Sequence, residues 1–150
     1  MELEFAVETW ADAHGEMENY WPLHWKEIAL HKDKIKLEVN HAGYEALEAL
    51  RILHLITARD EGLLVGYNVF FVSPHLHYAS SITAVNDVLY LFPPYRVGWN
   101  GYKFLKFARD SLIERGCERI VMNMKLDHMF GPVLKRLGFN RSEEIWQWVR

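Results

Sequence analysis

The stretch "LFPPYRVGWNGYKF" (residues 91–104) puts two prolines, an arginine and two glycines between an apolar strand pattern and the first turn of an apolar-striped helix. A plain connection needs none of these. Pro93 and Pro94 lack an N–H and cannot extend a sheet, so they splay the strand end away from its neighbour. Gly98 and Gly101 let a large anion approach the backbone, and Arg96 adds a formal charge. The helix that follows exposes unpaired N–H groups and a partial positive charge at its N-terminus. A splayed strand, a short nest of N–H groups and a helix N-terminus in series are what a pyrophosphate site requires.

"ITAVNDVLYLF" before the stretch is a strand by its β-branched and apolar character, and "GYKFLKFARDSLIERG" after it has the helical period, with Phe104, Leu105, Phe107, Ala108 and Leu112 making an apolar face. Gly116 suits the end of that helix. "CERIVMNMKL" reads as a strand, "DHMFGPVLKRLGF" as a helix starting at Asp127 or Gly131, and "EEIWQWV" as a closing strand. Towards the N-terminus, "ILHLITA" and "LLVGYNVFFV" flank "RDEG", a hairpin signal, and "SPHLHYAS" reads as a second connection. "LEFAV" is a short first strand. Thr9 to about Leu30 is helical, broken near "WPLHW", where Pro22 suits a first helical turn. "KIKLEV" is either a short strand or an irregular link, and "GYEALEALRIL" begins as a helix. The order predicts an α/β (α+β) domain spanning residues 1–150, with a mixed, mostly antiparallel central sheet flanked by helices.

Half of the 150 residues are apolar and a quarter charged, the composition of one globular domain with a real core. The net charge of −3 gives no global basic field, which argues against nucleic acid. A lone cysteine, Cys117, excludes an internal disulfide framework and fits a reducing compartment. No apolar run reaches the ~18–20 residues of a membrane span, and "MELEFAVETW" lacks the basic start and apolar core of a signal peptide. The expectation is a soluble cytoplasmic protein with no membrane partner. Charge is uneven: residues 1–20 carry six acids and no Lys or Arg, whereas residues 96–119 carry an excess of base.

The opening stretch resembles the signature of the GNAT superfamily of acetyl-CoA-dependent N-acyltransferases, a strand ending Val-x-Pro-x-Tyr-Arg and running on x-x-Gly-x-Gly/Ala into a helix. Leu91, Pro93, Tyr95 and Arg96 take the first four positions and Gly101 the last. Trp99 stands where the family has its first glycine, with Gly98 one residue earlier. "LLVGYNVFFV" is similar to the family's third strand and "RLGF" to its Leu-Gly-Phe after the last helix, so the likeness covers residues 43–150. The run from Pro74 to Gly98 is most similar to short, divergent phage-encoded members. The resemblance implies acetyl-CoA as co-substrate, lying where the strand 82–92 diverges from the strand 118–125. Its pantetheine amides would pair with the backbone of Leu91 and of Tyr90 or Phe92. Its pyrophosphate would meet the N–H groups of Val97, Gly98, Trp99, Asn100, Gly101 and Tyr102 beside Arg96, and the basic excess would attract the adenosine 3′-phosphate. Asp127 stands where the family often has an Asn on the cofactor arm.

Amine acetylation needs a neutral amine, a route for its proton and stabilisation of the oxyanion; many relatives add a Tyr acid for the thiolate. That Tyr position is Leu134 here, so Tyr78 and Tyr90 are the remaining candidates. Some relatives carry a Glu base at the place of Val85; Asp87 projects from the same face two residues on, and is the expected base. His77 is a second candidate base or substrate-lining group. His75 and His77 share a face, but with no third ligand in view no metal site is expected. Trp146 and Trp148 read as core or as the edge of a homodimer. The acceptor implied is an amine, small and cationic or on a protein; the acidic first twenty residues would favour a cation if they reach the cleft. The rival reading is a catalytically inactive GNAT-fold module that binds CoA or a protein.

Overall fold

In the computed structural model, which describes residues 2–150, five strands form one sheet in the order β1-β2-β3-β4-β5. The strands are β1 (Glu4–Glu8), β2 (Leu53–Asp60), β3 (Leu63–His75), β4 (Tyr78–Leu91) and β5 (Arg119–Val121). The first four pair antiparallel and β5 joins β4 in parallel. The helices are α1 (Trp10–Met17), α2 (Trp21–Ile28), α3 (His41–Ala49), α4 (Asn100–Glu114) and α5 (Gly131–Arg136).

Local chemistry sets most boundaries. Thr9 caps α1 by accepting from Asp12 N–H, and Asn40 caps α3 by accepting from Gly43 N–H. Pro22 sits in the first turn of α2, as its fixed φ and missing N–H allow. The β2–β3 turn is made by Glu61 and Gly62, both at positive φ (48° and 85°), the backbone a two-residue hairpin needs.

The sheet is covered on both faces. Against α4 it presents Ile56, Ala58, Phe70, Val72 and Ala84, which bury Phe104, Ala108 and Leu112, and Phe5 stacks on Phe104 at 5.4 Å. Against α1, α2 and α3 it presents Leu55, Tyr67, Val69 and Tyr90 around Trp10, Ala13 and Met17. Leu105, Leu134 and Leu137 form a small third cluster that seats α5 on α4.

Three expectations are corrected. "SPHLHYAS" is not a loop: β3 and β4 run on through it to a tight turn at Leu76 and His77. "CERIVMNMKL" forms strand only over Arg119–Val121 before leaving the sheet. "EEIWQWV" forms no strand, and its Trp146 and Trp148 are 89% and 84% exposed, not core. "KIKLEV" is an irregular link. Among the described residues no helix is long and apolar enough to cross a membrane.

Candidate active site

β4 and β5 pair only from Thr83↔Arg119 to Val85↔Val121. Beyond that β4 continues to Leu91 while its partner strand has ended, and the wedge between them is a cleft of about 1370 Å³. Residues 86–91 of β4 line one side and residues 123–130 the other; α2 lends His24 and Glu27, and α5 lends Arg136.

The backbone of β4 alternates in direction. Phe92 N–H donates to Val65 O at 2.8 Å, and in the same register Tyr90 pairs with Tyr67 and Val88 with Val69, so these three residues bond to β3. Leu91 and Leu89 lie between them and turn their N–H and C=O groups to the open edge. Of the three residues expected to meet a pantetheine arm through the backbone, Leu91 keeps its N–H open while its C=O accepts from Arg96, whereas Tyr90 and Phe92 are committed to the sheet. Leu89 is the neighbour that offers its backbone instead.

At the far end of the cleft, Pro93–Tyr95 makes one 3₁₀ turn and Gly98 adopts φ +55° before α4 begins. No side chain caps α4. Asn100 N–H returns to Val97 O at 3.2 Å and Lys103 N–H to Trp99 O at 2.8 Å. The N–H groups of Gly98, Trp99, Gly101 and Tyr102 have no acceptor among the described residues. Asn100 is buried and its side chain donates to Tyr95 O at 3.0 Å, so it braces the loop. Trp99 does not close the site; it is 58% exposed, meets Tyr102 edge-on and carries the Arg136 guanidinium 5.2 Å above its ring. Val97 is exposed.

Arg96 lines the cleft but is not free. Its Nε donates to Leu91 O at 2.6 Å and its two terminal nitrogens grip both oxygens of Glu27, at 2.5 and 2.8 Å. The hydrogen bonds from Arg96 hold the Glu27 carboxyl below its usual range. Arg136, which carries no local signal in the sequence, is a second cation beside the loop. Most of the remaining basic excess is engaged elsewhere: Lys106 and Arg109 hold Asp110, Arg115 bonds the backbone of Arg51 and Leu53, and Arg119 pairs with Glu143, while Lys103 in the first turn of α4 makes no side-chain bond among the described residues.

Asp87 sits at a β-bulge. The β3–β4 register passes from Val69↔Val88 to Phe70↔Asn86, leaving Asp87 without a partner and turned towards α3. There the Tyr44 hydroxyl donates to its Oδ2. Burial pushes the Asp87 carboxyl above its ordinary value, and the bond from Tyr44 partly counters this. A half-buried carboxylate of raised basicity on the floor of a cleft has the properties of a general base.

His24 is a residue the sequence reading missed. It is 6% exposed, lines the cleft beside Tyr90, and its Nδ1 lies 2.9 Å from the Tyr67 hydroxyl. Burial lowers its pKa from 6.5 to about 4, Glu27 opposing and Arg96 and Lys125 reinforcing the shift, so the ring is neutral at neutral pH. Its Nε2 has no partner among the described residues.

The remaining expectations divide. Asp127 lines the cleft, with His128 Nδ1 at 3.2 Å from its carboxylate, and that contact holds its pKa low. His77 and Tyr78 do not belong to the site: both lie at the exposed tip of the β3–β4 hairpin. Asp87 is nine residues further along the strand, roughly 30 Å away at strand rise. Tyr90 is buried as core, with the Arg96 guanidinium 5.4 Å over its ring. Leu134 is buried against Leu105 and Leu137, so no acid stands at that position. None of the six acids of the first twenty residues lines the cleft; Glu8 and Glu16 are bound by Arg59.

In three dimensions the chain matches the ribosomal-protein-alanine N-acetyltransferase from Brucella melitensis biovar Abortus 2308, with a TM-score of 0.76 and 18% identity over 100% of this chain and 98% of that one. It matches a transcriptional regulator from Bacillus halodurans C-125 with a TM-score of 0.76 and 18% identity, over 99% and 100% of the two chains. It also matches an aminoglycoside acetyltransferase from an uncultured soil metagenomic sample, in complex with sisomicin, at 0.74 and 11% identity over 99% and 95%. No protein-family model and no curated relative matches the sequence. The chain has the GNAT acetyltransferase fold: a five-stranded mixed sheet flanked by helices and opened between its fourth and fifth strands.

Proposed function

We propose that the chain is an acetyl-CoA-dependent N-acetyltransferase that passes the acetyl group directly to a primary amine. The observation that carries this reading is the continuity of the cleft: the open edge of β4 at Leu89 and Leu91 leads from the Asp87 bulge to the uncapped N-terminus of α4. An extended diamide arm pairs with such an edge, and a pyrophosphate fits the free N–H groups of Gly98, Trp99, Gly101 and Tyr102 beside Arg136.

The thioester is thereby set near Asp87, the base. The amine nitrogen attacks the thioester carbonyl carbon, Asp87 takes a proton from that nitrogen, and the C–S bond breaks to give the amide and CoA thiolate. The thiolate is a good leaving group and departs without an acid, which agrees with buried Leu134. No enzyme-bound acyl intermediate forms; Cys117 is buried and its thiol is pushed up by burial. The acceptor is an amine, small or on a protein, that arrives as a cation attracted by Asp87 and Asp127 in place of the N-terminal acids and gives one proton to solvent before its neutral nitrogen attacks.

A second reading, a CoA- or protein-binding module without catalysis, is favoured by Leu134 and by the Glu27 carboxylate that holds Arg96. Thermal melting with acetyl-CoA followed by free-thiol release against an amine panel separates the two. A melting shift with turnover supports the enzyme, a shift without turnover supports the module, and no shift at about millimolar acetyl-CoA removes both CoA readings.

A further inference from the structure

His14 on α1 and Glu18, the residue that caps its C-terminus, stand one helical turn apart, and His41, the first residue of α3, reaches the same point from 23 residues beyond Glu18. Both imidazoles direct a nitrogen at one carboxylate oxygen: His14 Nδ1 is 3.2 Å and His41 Nε2 3.8 Å from Glu18 Oε1. The three atoms all lie within 4.8 Å of one another. We propose that His14 Nδ1, Glu18 Oε1 and His41 Nε2 bind one divalent transition-metal ion of the zinc class, stapling α1 to the start of α3.

Ligand atoms at zinc distances of about 2.0–2.1 Å in a tetrahedron are about 3.4 Å apart. The two separations from Glu18 Oε1, 3.2 and 3.8 Å, bracket that edge. The third edge, His14 Nδ1 to His41 Nε2, is at most 4.8 Å, and rotation of the half-exposed His41 ring is the movement that would shorten it. An ordinary His–Glu helix pair accounts for His14 and Glu18 alone. At 3.8 Å, His41 makes no hydrogen bond to the carboxylate, so its approach is left without a partner that a shared cation would supply. The rings are also preset. Buried Trp10 stacks on His14 at 5.3 Å, and Trp21 lies edge-on to His41 at 5.5 Å. Two imidazoles and one carboxylate suit zinc, cobalt and nickel, whereas magnesium and calcium prefer all-oxygen sets. Partial exposure leaves a fourth position for water. The staple bears on the cleft, because α3 also carries Tyr44, the residue bonded to Asp87.

The proposal is independent of the acetyltransferase reading and is tested without activity. The full chain, stripped of metal, is titrated with Zn²⁺ and with Co²⁺ near neutral pH. The result expected is one ion per chain, a Tm raised by several degrees, and a visible Co²⁺ band of four-coordinate intensity. His41→Gln and Glu18→Gln lose all three responses, while the metal-free melting of His41→Gln stays that of the parent. The double variant His75→Gln/His77→Gln, which removes the exposed pair at the hairpin tip, keeps them. No response at about 100 µM Zn²⁺ overturns the proposal. So does a response that survives His41→Gln or disappears with the hairpin-tip pair.

Discussion

The Tyr44 hydroxyl donates to Asp87 Oδ2, tying α3 to the bulge of β4 across 43 residues of sequence. Tyr44 is itself fixed, its ring stacked 4.2 Å from Trp10. The bulge frees Asp87 from the ladder, and the tyrosine then sets where its carboxylate points.

Asp87→Asn keeps the shape and the bond from Tyr44 but removes the proposed base. Turnover is expected to fall by about 10²–10⁴-fold with acetyl-CoA affinity unchanged. Because burial raises the folded pKa of Asp87, its stabilising neutral form is present below the unfolded value and lost as pH rises through the folded one. The Asn variant therefore melts higher than the parent at neutral pH, and the gain vanishes in strong acid. Tyr44→Phe removes the bond that pulls the Asp87 pKa down, so the acid limb of the rate profile moves to higher pH.

Gly101 separates folding from binding. A Cβ there meets no atom within 4 Å, and Ala is the better helix former, so Gly101→Ala leaves stability equal or raises it by up to about 1 kcal/mol. The same methyl stands where an anion approaches the N–H groups of α4. Calorimetric titration is expected to show acetyl-CoA binding weakened about tenfold or more. Gly98→Ala differs: at φ +55° a side chain is strained, so both melting temperature and affinity fall.

Glu27→Gln releases Arg96 from its bidentate partner while keeping the size of the side chain. With the competing carboxylate gone, acetyl-CoA affinity is expected to rise by roughly three- to tenfold at low salt, and the rise to shrink at high salt. Titrations at two ionic strengths measure it.

Two buried histidines, His24 on α2 and His54 on β2, contribute to the acid sensitivity of the fold. Burial lowers His24 and His54 from 6.5 to about 4 each. Their contribution is whole above pH 6.5 and lost as pH falls from 6.5 to 4, because the unfolded chain takes up protons the folded one refuses. Each is worth roughly 3 kcal/mol across that window. Urea unfolding at stepped pH is expected to show the fall, and His54→Gln to reduce its slope by about half.

Much of this was legible locally. The prolines, Gly98 and the stripe of α4 follow from residues within one or two turns, and the hairpin at Glu61–Gly62 from its own composition. The place of Asp87 on the strand that borders the cleft was readable, though the bulge that presents it was not. His77 and Tyr78 were misplaced because "SPHLHYAS" carries loop residues inside two long strands that pair to their tips. The alternation of "EEIWQWV" describes which side chains would share a face, not whether a strand edge is there to receive them. His24 gave no local signal: its burial and low pKa depend on Tyr67 and Tyr90, supplied by strands far along the chain. The grip of Glu27 on Arg96, 69 residues apart, is equally invisible until the sheet forms.

The central claim is that acetyl-CoA lies along the open edge of β4 and ends on the N-terminus of α4. Backbone amide shifts on titration with acetyl-CoA test it residue by residue. The largest changes are expected at Leu89, Leu91, Gly98, Trp99, Gly101 and Tyr102, with the hairpin tip at His75–Tyr78 unmoved. Saturable shifts confined to other surfaces, or none at about millimolar acetyl-CoA, would contradict it.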